Sequence, residues 1–100
     1  MGALDGYISK SPKGKNLEEA LFLKGDSEFL TKQYRAAIVS FDKMKEKFPK
    51  SKRVPVTLLK IAQSFEALGM ADDARGFYQE LVEKFPKSSE AKKAKARLKG

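Results

Sequence analysis

The sequence predicts an all-α fold, a solenoid of antiparallel helix pairs with two repeats and a C-terminal capping helix. The string Glu-Lys-Phe-Pro-Lys-Ser occurs at 46–51 and again at 83–88, an offset of 37 residues. Apolar residues recur at helical spacing within each copy, and recurrence at a fixed period of this size is the signature of stacked helical repeats. With 100 residues, the chain is long enough for one small domain.

Composition excludes several classes of protein. Hydrophobic residues make up 41% of the chain and charged residues 34%. The first value is too high for a disordered chain, and the second is too high for a membrane span. There is no cysteine and no histidine, which excludes disulfides, metal sites built on thiolates or imidazoles, and histidine-based catalysis.

The N-terminal residues show no periodic pattern. Residues 1–16 contain three glycines and one proline but no apolar stripe at helical spacing. We therefore expect a flexible N-terminal arm at 1–16 and a repeat domain at 17–100.

The first repeat is predicted at about 17–50. Small and apolar residues four apart form one face of its first helix, namely Leu21, Gly25 and Phe29. The face of its second helix consists of Ala37, Ile38, Phe41, Met44 and Phe48. Pro49 then ends the second helix, because proline cannot continue a helix interior.

The second repeat is predicted at about 51–87. Its first helix has apolar residues at i, i+3, i+4 and i+7, which are Leu58, Ile61, Ala62 and Phe65. Gly69 suits the left-handed conformation that ends many helices. The second helix carries an apolar face of Ala74, Phe77 or Tyr78, Leu81 and Val82, and it stops at Phe85-Pro86. Ser51 and Ser88 follow the two prolines, where each is expected to cap the next helix.

A capping helix is predicted at about 88–99. Its apolar residues are Ala91, Ala94, Ala96 and Leu98, which form a narrow stripe, and most of the other residues are charged. A polar outer face of this kind is typical of the last element of a helical stack.

The net charge of +8 lies mainly at the chain ends and in the connection between the repeats. The basic residues of 92–99 have no aromatic neighbour, whereas nucleic-acid binders interleave the two residue types. We interpret these cations as a solvated helix face near a helix C-terminus. Nucleic acid is therefore an unexpected partner, although binding of nucleic acid or of an anionic surface through this basic tail remains an alternative.

No group of residues predicts catalysis. Asp72 and Asp73 stand at a predicted helix start, where negative charge favours the helix dipole. The serines lack a histidine base. We expect a protein that is not an enzyme, with no catalytic residue, no metal site and no cofactor.

The second repeat resembles the tetratricopeptide repeat family. The residues that carry the resemblance are Leu58-x2-Ile61-Ala62-x2-Phe65, Ala74-x3-Tyr78 and Pro86. The resemblance implies a protein-interaction module. In the first repeat, Lys24 and Glu28 replace the usual aliphatic and aromatic residues, so a shifted register of that helix is expected.

A narrower resemblance is to the C-terminal repeats of the YbgF/CpoB family of Tol-Pal-associated periplasmic proteins. It rests on Phe48-Pro49-Lys50-Ser51, Leu58-Leu59-Lys60-Ile61 and Ala67-Leu68-Gly69. That resemblance implies a periplasmic adaptor in cell division, with TolA or a peptidoglycan synthase as partner. A BamD-like outer-membrane lipoprotein and a cytoplasmic adaptor remain alternatives.

The candidate partner-binding groove lies on the first helix of each repeat, because these helices line the concave side of such a stack. The predicted groove residues are Glu19, Leu23, Asp26, Leu30, Val56, Leu59, Lys60, Gln63 and Glu66. Repeat proteins that clamp a C-terminal carboxylate have Lys and Asn where Asp26 and Gln63 stand. We therefore expect a mixed polar and apolar groove for a helix or an extended segment.

Self-association is also predicted, because stable stacks usually need about three repeats. An open N-terminal face would expose Leu21, Phe22 or Phe29 to water. A second copy would cover that face, or residues 1–16 would fold back over it.

Overall fold

Five α-helices form the part of the chain that the structure, a computed structural model, describes, which is residues 15–99. In chain order they are α1 (Lys15–Leu30), α2 (Tyr34–Lys47), α3 (Val54–Ala67), α4 (Ala71–Lys84) and α5 (Ser89–Lys99). Within residues 15–99 there is no strand. The predicted all-α fold of two helix pairs and a capping helix is confirmed.

The helices stack in the order that the repeat predicts. α1 pairs with α2, and α3 pairs with α4. α2 also packs against α3, and α4 against α5, while α3 touches both α1 and α5. The first helices of the successive units therefore lie side by side and form one continuous face.

The N-terminal boundary differs slightly from the prediction. α1 begins at Lys15, so the last two residues of the predicted arm at 1–16 are helical. The rest of that arm lies outside the described residues.

Two apolar clusters hold the stack together. The larger cluster joins α3, α4 and α5, and its buried members are Val54, Leu58, Leu59, Ala62, Ala74, Tyr78, Leu81, Ala91 and Ala94. The smaller cluster joins the two repeats and is built on buried Ala37, Phe41 and Ile61, with Phe22 and Phe29 partly buried against it.

The expected register shift of α1 is wrong. A Cβ atom added to Gly25 would lie 2.8 Å from two ring carbons of Phe41. Gly25 therefore occupies the close-contact position that the unshifted repeat predicts, and a larger residue would separate α1 from α2. Of the three residues that an open N-terminal face was expected to expose, Leu21 is only 8% exposed, and Phe22 and Phe29 are partly buried against the smaller cluster.

Helix ends follow local hydrogen-bonding rules. The Ser88 Oγ accepts a hydrogen bond from the Ala91 N–H at 3.0 Å, which confirms Ser88 as the cap of α5. The Ser51 Oγ accepts instead from the Arg53 N–H at 3.0 Å. Because α3 begins only at Val54, the prediction that Ser51 caps this helix is wrong.

None of the helices between residues 15 and 99 combines the length and the apolar character that crossing a membrane requires.

Candidate partner-binding groove

The shared face of α1, α3 and α5 contains an ion pair between two of the predicted groove residues. The Lys60 Nζ lies 2.7 Å from the Asp26 Oδ1, and both side chains are partly exposed. The same Lys60 Nζ lies 4.9 Å from the centre of the Phe29 ring, within the range of a cation–π contact. Lys60 therefore joins the first helices of the two repeats.

A second ion pair repeats this arrangement one unit further along the stack. The Arg97 Nη2 lies 2.7 Å from the Glu66 Oε2, and the Arg97 Nε donates to the same oxygen at 3.1 Å. Arg97 stands 37 residues after Lys60. In both places a basic residue on one first helix binds an acidic residue on the first helix before it.

Glu66 is further fixed by Tyr78, whose hydroxyl donates to the Glu66 Oε1 at 2.7 Å. Burial alone would raise the pKa of Glu66, but the hydrogen bonds from Arg97 and Tyr78 and the Arg97 charge outweigh it, so this pKa lies below its usual value. Burial, with the hydrogen bond to Glu66 and its charge, raises the pKa of Tyr78 to about 12. Glu66 is thus held as a carboxylate and Tyr78 as a neutral donor.

Two exposed leucines flank the Asp26–Lys60 pair. Leu23 is 51% exposed and Leu30 is 70% exposed. They stand seven residues apart on α1, with Asp26 between them, so all three belong to one face of the helix. Glu19 lies one turn before Leu23 and is exposed. This face of α1 therefore offers large apolar side chains to a partner.

On α3, the predicted groove residues differ in how far their side chains are exposed. Val56 and Gln63 are half-buried, so part of each side chain remains open to a partner. Leu59 is only 5% exposed and belongs to the larger core cluster. Leu59 therefore contributes to the core of the stack and offers little side-chain surface to a partner.

A shallow cavity of about 670 Å³ lies at the end of this face where α1 and α3 begin. It is lined by Glu18, Glu19, Ser51, Lys52, Arg53 and Val56. The Arg53 Nη1 and the Ser51 Oγ both bind the Glu18 carboxylate, at 3.0 Å and 2.5 Å. This connection between the repeats is therefore anchored to α1.

Sequence reasoning missed Arg97 and Glu18 as members of these networks. The signal for Arg97 was the 37-residue offset from Lys60, which places a cation at the same position on the next first helix. No comparable signal marks Glu18, because it contacts a connecting segment whose path the periodicity does not define.

Comparison with known proteins identifies the repeat. The family model described as tetratricopeptide repeat matches residues 19–51 and 57–88, which together are more than half of the chain. The search of curated proteins gave no match.

Proposed function

The chain belongs to the tetratricopeptide repeat family, and from this membership we propose a non-catalytic module that binds one protein segment along the face of α1, α3 and α5. Stacked repeats of this kind form extended concave surfaces that serve as binding sites. The repeat fold itself indicates protein–protein interaction.

The exposed leucines of α1 carry the proposal. Leu23 and Leu30 are 51% and 70% exposed, and a seven-residue spacing puts them roughly 10 Å apart along the helix. A segment with two apolar side chains at a matching distance would bury both leucines. The polar groups of Lys60 and Gln63 lie on the neighbouring helix, where they can bind the backbone or an acidic side chain of that segment.

Site-specific photo-crosslinking tests which face binds. A photoreactive amino acid replaces Leu23 or Leu30 in the full chain, and the control replaces Gln79, an exposed residue on α4. We expect a discrete crosslinked product from positions 23 and 30 and none from position 79. Equal crosslinking at all three positions would refute the groove.

We propose further that the module works in the bacterial envelope, as an adaptor of the Tol-Pal type in cell division. Support comes from the resemblance of the junction 48–51 and of the segments 58–61 and 67–69 to the YbgF/CpoB repeats. TolA and a peptidoglycan synthase are the partners that this resemblance suggests.

Osmotic shock tests the location, since release of the protein with the periplasm supports the envelope role.

Calorimetric titration with TolA and with a synthase then tests the partner. We expect Leu30→Asp to weaken binding at least about tenfold, which corresponds to about 1.4 kcal/mol, while Gln79→Asp leaves it unchanged. Retention of the protein in the cytoplasm would favour a cytoplasmic adaptor. Recovery of the protein in the membrane fraction would favour a BamD-like lipoprotein.

A further inference from the structure

The basic residues of α5 stand on different faces of this helix. The 37-residue offset of the repeats pairs Lys93 with Val56 and Arg97 with Lys60. Val56 and Lys60 belong to the predicted groove, and equivalent positions of successive units occupy equivalent places in a helical stack. Lys93 and Arg97 therefore extend the groove face from α3 onto α5.

Two other lysines of α5 stand outside the groove face. Lys95 corresponds to Leu58, and Lys99 corresponds to Ala62. Leu58 and Ala62 are both 0% exposed and belong to the larger core cluster, which joins α3 to α4. Lys95 and Lys99 are therefore on the side of α5 that an internal unit buries against its second helix.

Most cations of the groove face are already bound within the protein. The Lys60 Nζ lies 2.7 Å from the Asp26 Oδ1. Arg97 donates to one Glu66 oxygen from two of its nitrogens. Lys93, by contrast, is exposed and forms no ion pair within the described part of the chain. Its ammonium group is therefore available to a carboxylate of a partner.

The two ends of the groove face differ in chemistry. On α1 this face offers the exposed Leu23 and Leu30, together with the exposed carboxylate of Glu19. Lys52 lines the cavity at this end, but it shares that cavity with the carboxylates of Glu18 and Glu19. An acidic side chain of a partner is therefore better placed over α5 than over α1, since the contact of like charges weakens binding.

The distance between the two ends sets a spacing in the sequence of the partner. Packed helices lie roughly 8–10 Å apart, so α1 and α5 are roughly 16–20 Å apart across α3. An extended segment advances about 3.3 Å per residue, so about five or six positions separate a side chain over α1 from one over α5.

We propose that the groove binds an extended segment with an apolar residue packed on Leu23 and Leu30 and, about five or six positions away, an acidic residue bound to Lys93. The proposal rests on the proposed function, because it names the chemistry and the orientation of the segment that the groove binds. Lys93 is then the residue that selects an acidic partner.

Selection from a library of random peptides displayed on phage tests the charge preference. The baits are the full parent chain, Lys93→Glu and, as the control, Lys95→Glu, which makes the same charge change outside the groove. We expect the parent and Lys95→Glu to select peptides with an acidic residue about five or six positions from an apolar residue. Lys93→Glu should select a basic residue in place of the acidic one. The same peptides from all three baits, or an equal change with both variants, would overturn the proposal.

The affinity of one selected peptide, synthesised with a fluorescent dye, separates this proposal from the groove itself. We expect Lys93→Gln to weaken binding roughly two- to fivefold, the range for an exposed ion pair, while Lys95→Gln leaves it unchanged. If Leu30→Asp weakened binding and Lys93→Gln did not, this proposal would fail and the groove would stand. If Leu30→Asp bound the peptide as the parent does, or if no peptide were selected, the groove and this proposal would both fail.

Discussion

Two glycines in helices of this chain have opposite roles. Gly25 is buried against the Phe41 ring, whereas a Cβ added to Gly76 would meet nothing within 4 Å. Phe41 is 0% exposed, so its ring has no free space into which to withdraw. Helix propensity alone favours alanine over glycine at both positions by about 1 kcal/mol.

The substitution Gly25→Ala should therefore destabilise the protein by about 1–3 kcal/mol, because overpacking outweighs the gain in helix propensity. Gly76→Ala is the matched control and should stabilise by about 0.5–1 kcal/mol. Urea unfolding followed by circular dichroism measures both values. A stabilising Gly25→Ala would show that α1 moves away from Phe41 at little cost.

Tyr78 and Glu66 give the stability a pH dependence at both extremes. The pKa of Glu66 is lowered below 4.5, so its contribution is present above that pH and is lost as the pH falls through the folded value. The pKa of Tyr78 is raised from 10.0 to about 12. Its contribution is complete below pH 10 and is lost as the pH rises towards 12.

Tyr78→Phe tests the alkaline limb. The variant lacks the hydroxyl that binds Glu66, and a hydrogen bond to a charged group contributes about 1.5–3 kcal/mol, so it should be less stable at neutral pH. Between pH 10 and pH 12 the urea midpoint of the parent should approach that of the variant. Parallel curves over that range would mean that Tyr78 titrates as it does in the unfolded chain.

At this scale the sequence predicts packing better than it predicts the open surface. Gly25 and Phe41 were placed correctly, because close helix contact demands a small residue opposite a large one. Lys24 and Glu28 suggested a register shift because repeat patterns describe internal units. These residues lie on the first described helix, where Lys24 and Glu28 form an ion pair and Ser40 binds Glu28 in place of apolar packing.

At the scale of whole helices, α1 and α3 end in the same hydrogen-bonding motif. After α3, the Met70 N–H binds the Phe65 carbonyl and the Gly69 N–H binds the Glu66 carbonyl. After α1, the Gln33 N–H binds the Glu28 carbonyl and the Lys32 N–H binds the Phe29 carbonyl. Gly69 has φ +79° and Lys32 has φ +65°, so both adopt the left-handed conformation.

Lys32→Gly should therefore stabilise the protein by about 0.5–1 kcal/mol, since lysine pays a steric cost in this conformation that glycine does not. The reciprocal change, Gly69→Lys, should destabilise by a similar amount. Thermal unfolding of the two variants measures both changes. Two changes of the same sign would contradict the shared motif.

The groove shows what helix periodicity can and cannot predict. Leu23 and Leu59 were both assigned to the open face, yet Leu23 is half-exposed while Leu59 lies in the core. α3 is covered by helices on more sides than α1, since it contacts α1, α2, α4 and α5. A wider apolar stripe of α3 is therefore buried in the core. The periodicity of apolar residues within one helix does not reveal how many other helices contact that helix.

At the scale of the whole molecule, α5 has a buried apolar side and an exposed basic side. Ala91 and Ala94 are fully buried and belong to the cluster that contains Tyr78 and Leu81. The lysines of the same helix, Lys92, Lys93, Lys95 and Lys99, are exposed. The alanines cover the core, and the lysines give α5 a charged outer face of the kind found on terminal elements of helical stacks.

Deleting residues 89–100 should therefore uncover Tyr78 and Leu81 and abolish cooperative thermal unfolding, because a repeat stack is stabilised largely by the interfaces between neighbours. The control changes Lys92, Lys93, Lys95 and Lys99 to Gln, which keeps both alanines and the Arg97–Glu66 pair. That variant should still unfold cooperatively, since each exposed substitution changes stability by only roughly 0.5 kcal/mol or less. Circular dichroism and binding of a hydrophobic dye measure both variants. If the deletion variant unfolded as cooperatively as the parent, α5 would not belong to the folding unit, and the core would end at α4.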